Sequence, residues 1–257
     1  MGPEAFSLHE KVALVIGMAS PLGRATALAL AEAGAHVAVA TALPTRREEA
    51  AAYACVEEIR GLRRHGFAHT LDTTSEEAVE GLVRRTTATL GPLEILVNAH
   101  DLPFAKPLPD VSPGEWQRVL AVNLTGVYLA CRAAAAPMLA QKKGRIINVV
   151  SLLAERGMAN GSAYCAAQAG ALNLTRALAL EWARSGVTVN AIGAGWTEGT
   201  GLPGDEQLGQ QLVRYLPYRR LARPREIGDA AVYLASDASG FLTGQVIWVD
   251  GGVLSRL

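Results

Sequence analysis

The chain has 257 residues, 50% of them apolar and 19% charged, which gives material for a large buried core and excludes a disordered polypeptide. Lys+Arg and Asp+Glu are equal at 24 each, so no net field draws the chain to nucleic acid or to an anionic membrane. Three cysteines, Cys55, Cys131 and Cys165, lack C-x-x-C or zinc-ligand spacing, which points to reduced thiols, no metal site and a cytoplasmic setting.

The first residues, MGPEAFSLHEK, carry acidic side chains and no apolar signal-type stretch. No uncharged apolar run reaches the ~18 residues of a bilayer span. Short β-branched runs then alternate with alanine-rich helical stretches. Strands are expected at residues 12–16, 36–40, 67–71, 95–98, 145–150, 188–192 and 246–249, with helices in the intervals. Two helices are expected to close on glycine after basic residues, at Gly66 and Gly144. Continuous apolar strands separated by helices imply a parallel sheet covered on both faces. Right-handed crossovers make that sheet doubly wound, with ligands at the carboxyl ends of its strands. No linker or repeat divides the chain, so one Rossmann-type α/β domain over 1–257 is expected, with seven mainly parallel strands.

In chain order, the first strand runs into Gly17-Met18-Ala19-Ser20-Pro21-Leu22-Gly23-Arg24 and a helix. Glycines there permit close backbone approach, and a helix start turns free N–H groups toward an anion. Pro21 has no N–H to give, and Ser20 with Pro21 also reads as an ordinary helix start. After the second strand, Thr41 is followed by no nearby acid and by Arg46 and Arg47. The fourth strand ends Asn98-Ala99-His100-Asp101, either a solvated loop or a polar acid–base pair. Ser151 ends the fifth strand, Tyr164 lies thirteen residues later, and Gln168 stands four residues beyond the tyrosine.

The stretch from 144 to 183, with Ser151, Tyr164 and Asn123 upstream, resembles the catalytic segment of the short-chain dehydrogenase/reductase family, and the likeness continues through residues 220–252. The resemblance implies an NAD(P)-dependent oxidoreductase acting on a small carbonyl or alcohol, with a cofactor half at about 8–150 and a catalytic half at about 151–257. It implies that Ser151 holds the substrate oxygen, Tyr164 passes it a proton and Asn123 belongs to the relay. It assigns the cofactor to Gly17, Gly23, Thr41, Asp72 beside the adenine, Asn98, Gly195 and Thr197 or Thr200, with Ser20, the Leu22 backbone and Arg24 as substitute donors. The missing acid near Thr41 and the two arginines tilt the choice from NAD to NADP. Paired long helices, Pro113–Ala140 and 161–184, imply a homodimer or homotetramer.

Gln168 stands where the family has a lysine. An amide contributes no charge, and a phenol of pKa ~10 is ionised in roughly one molecule per thousand at pH 7, so attenuated activity is expected. Lys106 and Arg156 are the candidate replacement cations. Changes at Ile16, Pro21, His100, Asp101, Gln168, Ala194 and Gly199 define the alternative: a catalytically inactive or non-redox member serving as a partner subunit, binding protein, lyase or isomerase. Gly193, Gly195, Gly199, Gly201 and Gly204 suit a lid that orders on binding.

Overall fold

The computed structural model describes residues 4–200 and 212–255. Seven strands form one sheet: β1 Val12–Ile16, β2 His36–Ala40, β3 Ala68–His69, β4 Leu93–Asn98, β5 Gly144–Ser151, β6 Val187–Ala194 and β7 Val246–Val249. Their order is β3-β2-β1-β4-β5-β6-β7, and every pair is parallel. Strands β1 and β2 are buried at every position, as a sheet covered on both faces requires. The expected third strand at 67–71 shrinks to two residues, because this edge strand pairs only with the end of β2.

Helices α1 Pro21–Glu32, α2 Arg46–Gly61 and α7 Pro224–Ala235 cover one face. On the other lie α3 Glu76–Leu90, α5 Gly126–Ala140 and α6 Ser162–Trp182. Side-chain caps set the starts: Ser20 accepts from the Leu22 N–H, Thr45 from Glu48 and Ser75 from Ala78. Short α4, Pro113–Leu120, opens on a reciprocal Ser112–Glu115 capping box and runs through a π-turn at Ala121–Thr125 into α5. This continuous helix, Pro113–Ala140, is apolar and long enough by composition to cross a bilayer. More than half of its apolar window is nonetheless buried within the domain. The left-handed residues after α2 and α5 are Arg63 and Lys142, not the glycines expected there. Gly66 instead approaches β2, where a Cβ would come 2.4 Å from the Val37 carbonyl oxygen.

Strand order reverses between β1 and β4. Parallel sheets place ligands at such a switch point, outside the carboxyl edge. Ile16 pairs there with Ala40 on one side and Asn98 on the other, and Ser151 pairs with Ala194 one step further along the sheet.

Candidate active site

At that edge opens a crevice lined from both halves of the chain, in the place where folds of this class bind small molecules. Ser151, Tyr164 and Gln168 all line it, so the residues singled out by the resemblance converge in space. Ser151 terminates β5 and its Oγ accepts from the Leu153 N–H at 3.2 Å, leaving the hydroxyl proton free to donate. Tyr164 projects from the first turn of α6 and is only 9% exposed.

The phenol of Tyr164 donates to Asp101 Oδ1 at 2.8 Å. Burial raises the Tyr164 pKa well above its usual value, the Asp101 charge and hydrogen bond raise it further, and Ser151 works the other way. Burial also raises the Asp101 pKa, against the Tyr164 hydrogen bond that lowers it. The group nearest the phenol is therefore an acid where a cation was expected. Lys106 is engaged by Glu115 at 2.9 Å, and Arg156 donates to the Val253 carbonyl at 3.3 Å, so neither supplies the missing charge.

Gln168 is 2% exposed, and its Oε1 accepts from the Ser151 backbone N–H at 3.0 Å. It thus fixes the strand end that carries Ser151. Asn123, within the π-turn, binds the Leu102 backbone twice: its Oδ1 accepts at 2.9 Å and its Nδ2 donates at 3.0 Å. This two-point latch holds the residue next to Asp101. His100 lines the crevice, is 3% exposed, and neither ring nitrogen has a hydrogen-bond partner among the described residues. Burial pushes its pKa down to about 4, so the ring is neutral at physiological pH. The solvated-loop alternative for His100 and Asp101 is thereby corrected: both are drawn inward, one onto Tyr164.

The glycine loop keeps its tight geometry. Gly17 has φ +110°, and a Cβ there would lie 2.3 Å from the Ala99 carbonyl oxygen; one on Gly23 would lie 2.1 Å from that of Gly17. Its donors are less available. The Leu22 N–H is taken by Ser20 at 3.2 Å, Pro21 has none, and Arg24 pairs with Glu58 on α2. Gly199 folds over Pro21, where a Cβ would meet the proline Cγ at 3.4 Å. Gly201 and Gly204 of the expected lid lie outside the described residues.

Several residues assigned to the cofactor by resemblance serve the scaffold. Thr41 is fully buried and exchanges two 2.7 Å bonds with the Leu71 backbone. Asp72 accepts from the Thr74 amide and hydroxyl. Asn98 donates to Asn148 at 2.8 Å beneath the strands, although its own Oδ1 is unpartnered. Gly195 packs so closely that a Cβ would lie 2.5 Å from the Asp250 Cα. Thr197 turns its hydroxyl onto the Gly195 carbonyl at 3.0 Å, and it is Thr200 that lines the crevice. Arg220, in the basic 214–220 run, is held by Glu226 outside the crevice. Cys55 and Cys131 are buried free thiols with pKa pushed up to about 12.

Sequence reasoning passed over Glu48. This α2 carboxylate reaches back to the loop after β2 and accepts from the Ala42 N–H at 2.6 Å and the Leu43 N–H at 3.3 Å. An acidic side chain therefore stands where none was expected, although burial raises its pKa, while Arg46 and Arg47 are exposed. The signal was available: an acid three residues into a helix after Thr45 can reach backward.

The residues fit a nicotinamide cofactor best at its reactive end, where the crevice combines Tyr164, Ser151 and the orphaned His100 nitrogens. Residues 17–254 match a family described as enoyl-(acyl carrier protein) reductase. The chain is 39% identical to cis-4-hydroxycyclohexanecarboxylate dehydrogenase of Sinomonas cyclohexanicum, over 97% of this chain and 98% of that protein. A solved short-chain type dehydrogenase/reductase from Mycobacterium marinum superposes with TM-score 0.89 at 33% identity, covering 98% of this chain and 99% of that one. A structure from Beutenbergia cavernae, described as an NAD(P) dependent gluconate 5-dehydrogenase with bound NADP at low occupancy, superposes with TM-score 0.89 at 35% identity, covering 98% and 100%.

Proposed function

The chain belongs to the short-chain dehydrogenase/reductase family and is an NAD(P)-dependent oxidoreductase, and on that basis we propose that it interconverts a neutral, ring-sized secondary alcohol and its ketone. The observation that carries this reading is the convergence of Ser151 and Tyr164 in one crevice, with the phenol donating to Asp101 at 2.8 Å. Pro103, Phe104, Leu153, Met158 and Trp196 give the crevice apolar walls. No Lys or Arg is among the described residues that line it, and Asp101 disfavours a second anion there. The Sinomonas relative's name supplies the alicyclic secondary alcohol, but its substrate also carries a carboxylate, for which the described lining of this crevice offers no Lys or Arg.

Bound nicotinamide supplies or accepts the hydride. The chain's own residues handle the proton. In alcohol oxidation Ser151 Oγ donates to the substrate oxygen and holds it against Tyr164 Oη. The substrate proton passes to Tyr164 Oη as the phenol proton passes to Asp101 Oδ1, so no free phenolate has to form. In reduction the same protons run backward. Asp101 thereby replaces the ammonium's effect on the phenol with a proton acceptor. Gln168 and Asn123 act as positioning residues for the Ser151 strand end and the Asp101 loop.

Two exposed apolar side chains on the long helices, Tyr128 at 43% and Leu180 at 81%, favour assembly through α5 and α6 as a homodimer or homotetramer. Free, unpaired cysteines suit a reducing cytoplasm.

The test is direct. Purified protein is titrated with NADH and NADPH by nicotinamide fluorescence, then assayed for reduction of cyclohexanone-type ketones. Binding of at least one nucleotide and turnover of a neutral cyclic ketone are expected. Absence of binding by either at millimolar concentration overturns the proposal.

A further inference from the structure

We propose that Glu48 is the cofactor-discriminating residue of this protein, selecting NAD(H) and rejecting NADP(H) by occupying the anion cradle beside the adenosine ribose. The inference rests on the nicotinamide reading above and reverses the NADP tilt of the sequence.

Glu48 is the third residue of α2. In an ordinary capping box its carboxylate would return to the N–H of the cap residue, Thr45. Here the Thr45 N–H is bonded to the Leu43 carbonyl at 2.8 Å instead, and the carboxylate passes on to Ala42 and Leu43. Burial raises the pKa of this carboxyl group, while the amides of Ala42, Leu43 and, least of all, Ala19 in the glycine loop work the other way. Two backbone donors of the loop after β2 thus converge on one side chain that is 4% exposed, flanked by exposed Arg46 and Arg47.

The location gives the cradle its meaning. Ala42 and Leu43 follow the carboxyl end of β2, and Ala19 follows that of β1. In dinucleotide folds of this topology, the residue just beyond the second strand meets the ribose 2′ position. Backbone amides gathered in this way form a nest for an anion. With no side chain in it, the nest would suit a 2′-phosphate. Filled by a carboxylate, it has spent its donors and presents a like charge to the phosphate, while an acceptor lone pair remains for a 2′-hydroxyl. Thr41, with both hydroxyl bonds closed on Leu71, offers no alternative donor. Arg46 and Arg47 are the competing features, since an exposed guanidinium can follow a phosphate.

Dissociation constants for NADH and NADPH, measured by fluorescence on the wild-type protein, Glu48→Gln and Glu48→Ala, decide the matter. The wild type is expected to bind NADH at least about tenfold more tightly than NADPH. Glu48→Gln keeps the shape and removes the charge, and should shrink that ratio by about tenfold. Glu48→Ala empties the nest and should carry the preference to NADPH, with circular dichroism checking its fold. Should the alanine variant fail to fold, the wild type and the isosteric glutamine still decide. Equal or tighter NADPH binding by the wild type, or an unchanged ratio in Glu48→Gln, would overturn this inference alone and assign the choice to Arg46 and Arg47. Binding of neither nucleotide would overturn both it and the function proposed above.

Discussion

Tyr164 Oη and Asp101 Oδ1 lie 2.8 Å apart, so the tyrosine donates its proton to a carboxylate carried on the loop after β4. An ammonium in this position would draw the phenol toward ionisation, whereas a carboxylate keeps it protonated. Since burial raises the Asp101 pKa, the folded state holds that proton more tightly than the unfolded chain. Its contribution is then greatest below the ordinary aspartate pKa and is lost as pH rises through the raised folded value. Asp101→Asn removes the buried charge and keeps a polar partner for the phenol. It is expected to raise the melting temperature at pH 7, with little change at pH 3, in thermal unfolding followed by circular dichroism.

Gln168→Lys recreates the family's residue in a site that no longer suits it. The amide oxygen accepts the Ser151 N–H at 3.0 Å, and an ammonium cannot accept. Leaving that buried donor unpaired costs about 1–3 kcal/mol, so the single variant is expected to lose stability in urea unfolding. Asp101 still accepts the phenol proton in that variant and keeps the tyrosine protonated. Only the double substitution Gln168→Lys with Asp101→Gly is expected to lower the Tyr164 pKa, read as phenolate absorbance against a Tyr164→Phe control.

Asn123 acts through Asp101. Its two bonds to Leu102 fix the loop, so Asn123→Ala is expected to reduce kcat about tenfold or more. In an Asp101→Asn background the same change should cost little more, because the acceptor it positions is already gone. A double-mutant cycle on kcat measures this, and additive losses would show that Asn123 works independently.

His100 sets an acid limit on the fold. Its pKa falls from 6.5 to about 4 on burial, so the neutral ring's contribution is complete above pH 6.5 and is lost as pH falls toward 4. The loss amounts to about 2 kcal/mol by pH 5. Urea unfolding at pH 7 and pH 5 is expected to show this difference in the wild type and about that much less in His100→Ala.

The scaffold could be read from sequence because its causes are local. Five-residue apolar runs such as Val12–Ile16 have to be buried on both faces, and Ser20, Thr45 and Ser75 announce helix starts through their own side chains. Ser151 and Tyr164 were legible through the family resemblance of the 144–183 stretch, and the structure places one at a strand end and the other in a helix first turn, both lining one crevice. What escaped was everything decided by direction across a gap. Nothing local says that Asp101 turns onto Tyr164, 63 residues away, instead of into water. The amide of Gln168 has the chemistry to meet a ribose, and only the packing of α6 against β5 shows it spent on Ser151. Glu48 and Arg46 sit two residues apart on one helix start, yet one is buried and the other exposed. Helical rotation, which composition does not show, separates them.

The proton route from Tyr164 to Asp101 is tested most directly by the pH dependence of alcohol oxidation, followed as nicotinamide absorbance in wild type, Asp101→Asn and Tyr164→Phe. Wild-type kcat should rise with pH along a limb above the usual aspartate pKa of 3.8 and then level off. Asp101→Asn should lose that limb along with activity on the order of 100-fold, and Tyr164→Phe should lose at least as much. A wild-type profile that climbs only near the ordinary tyrosine pKa of ~10 and is unaltered by Asp101→Asn would contradict the account.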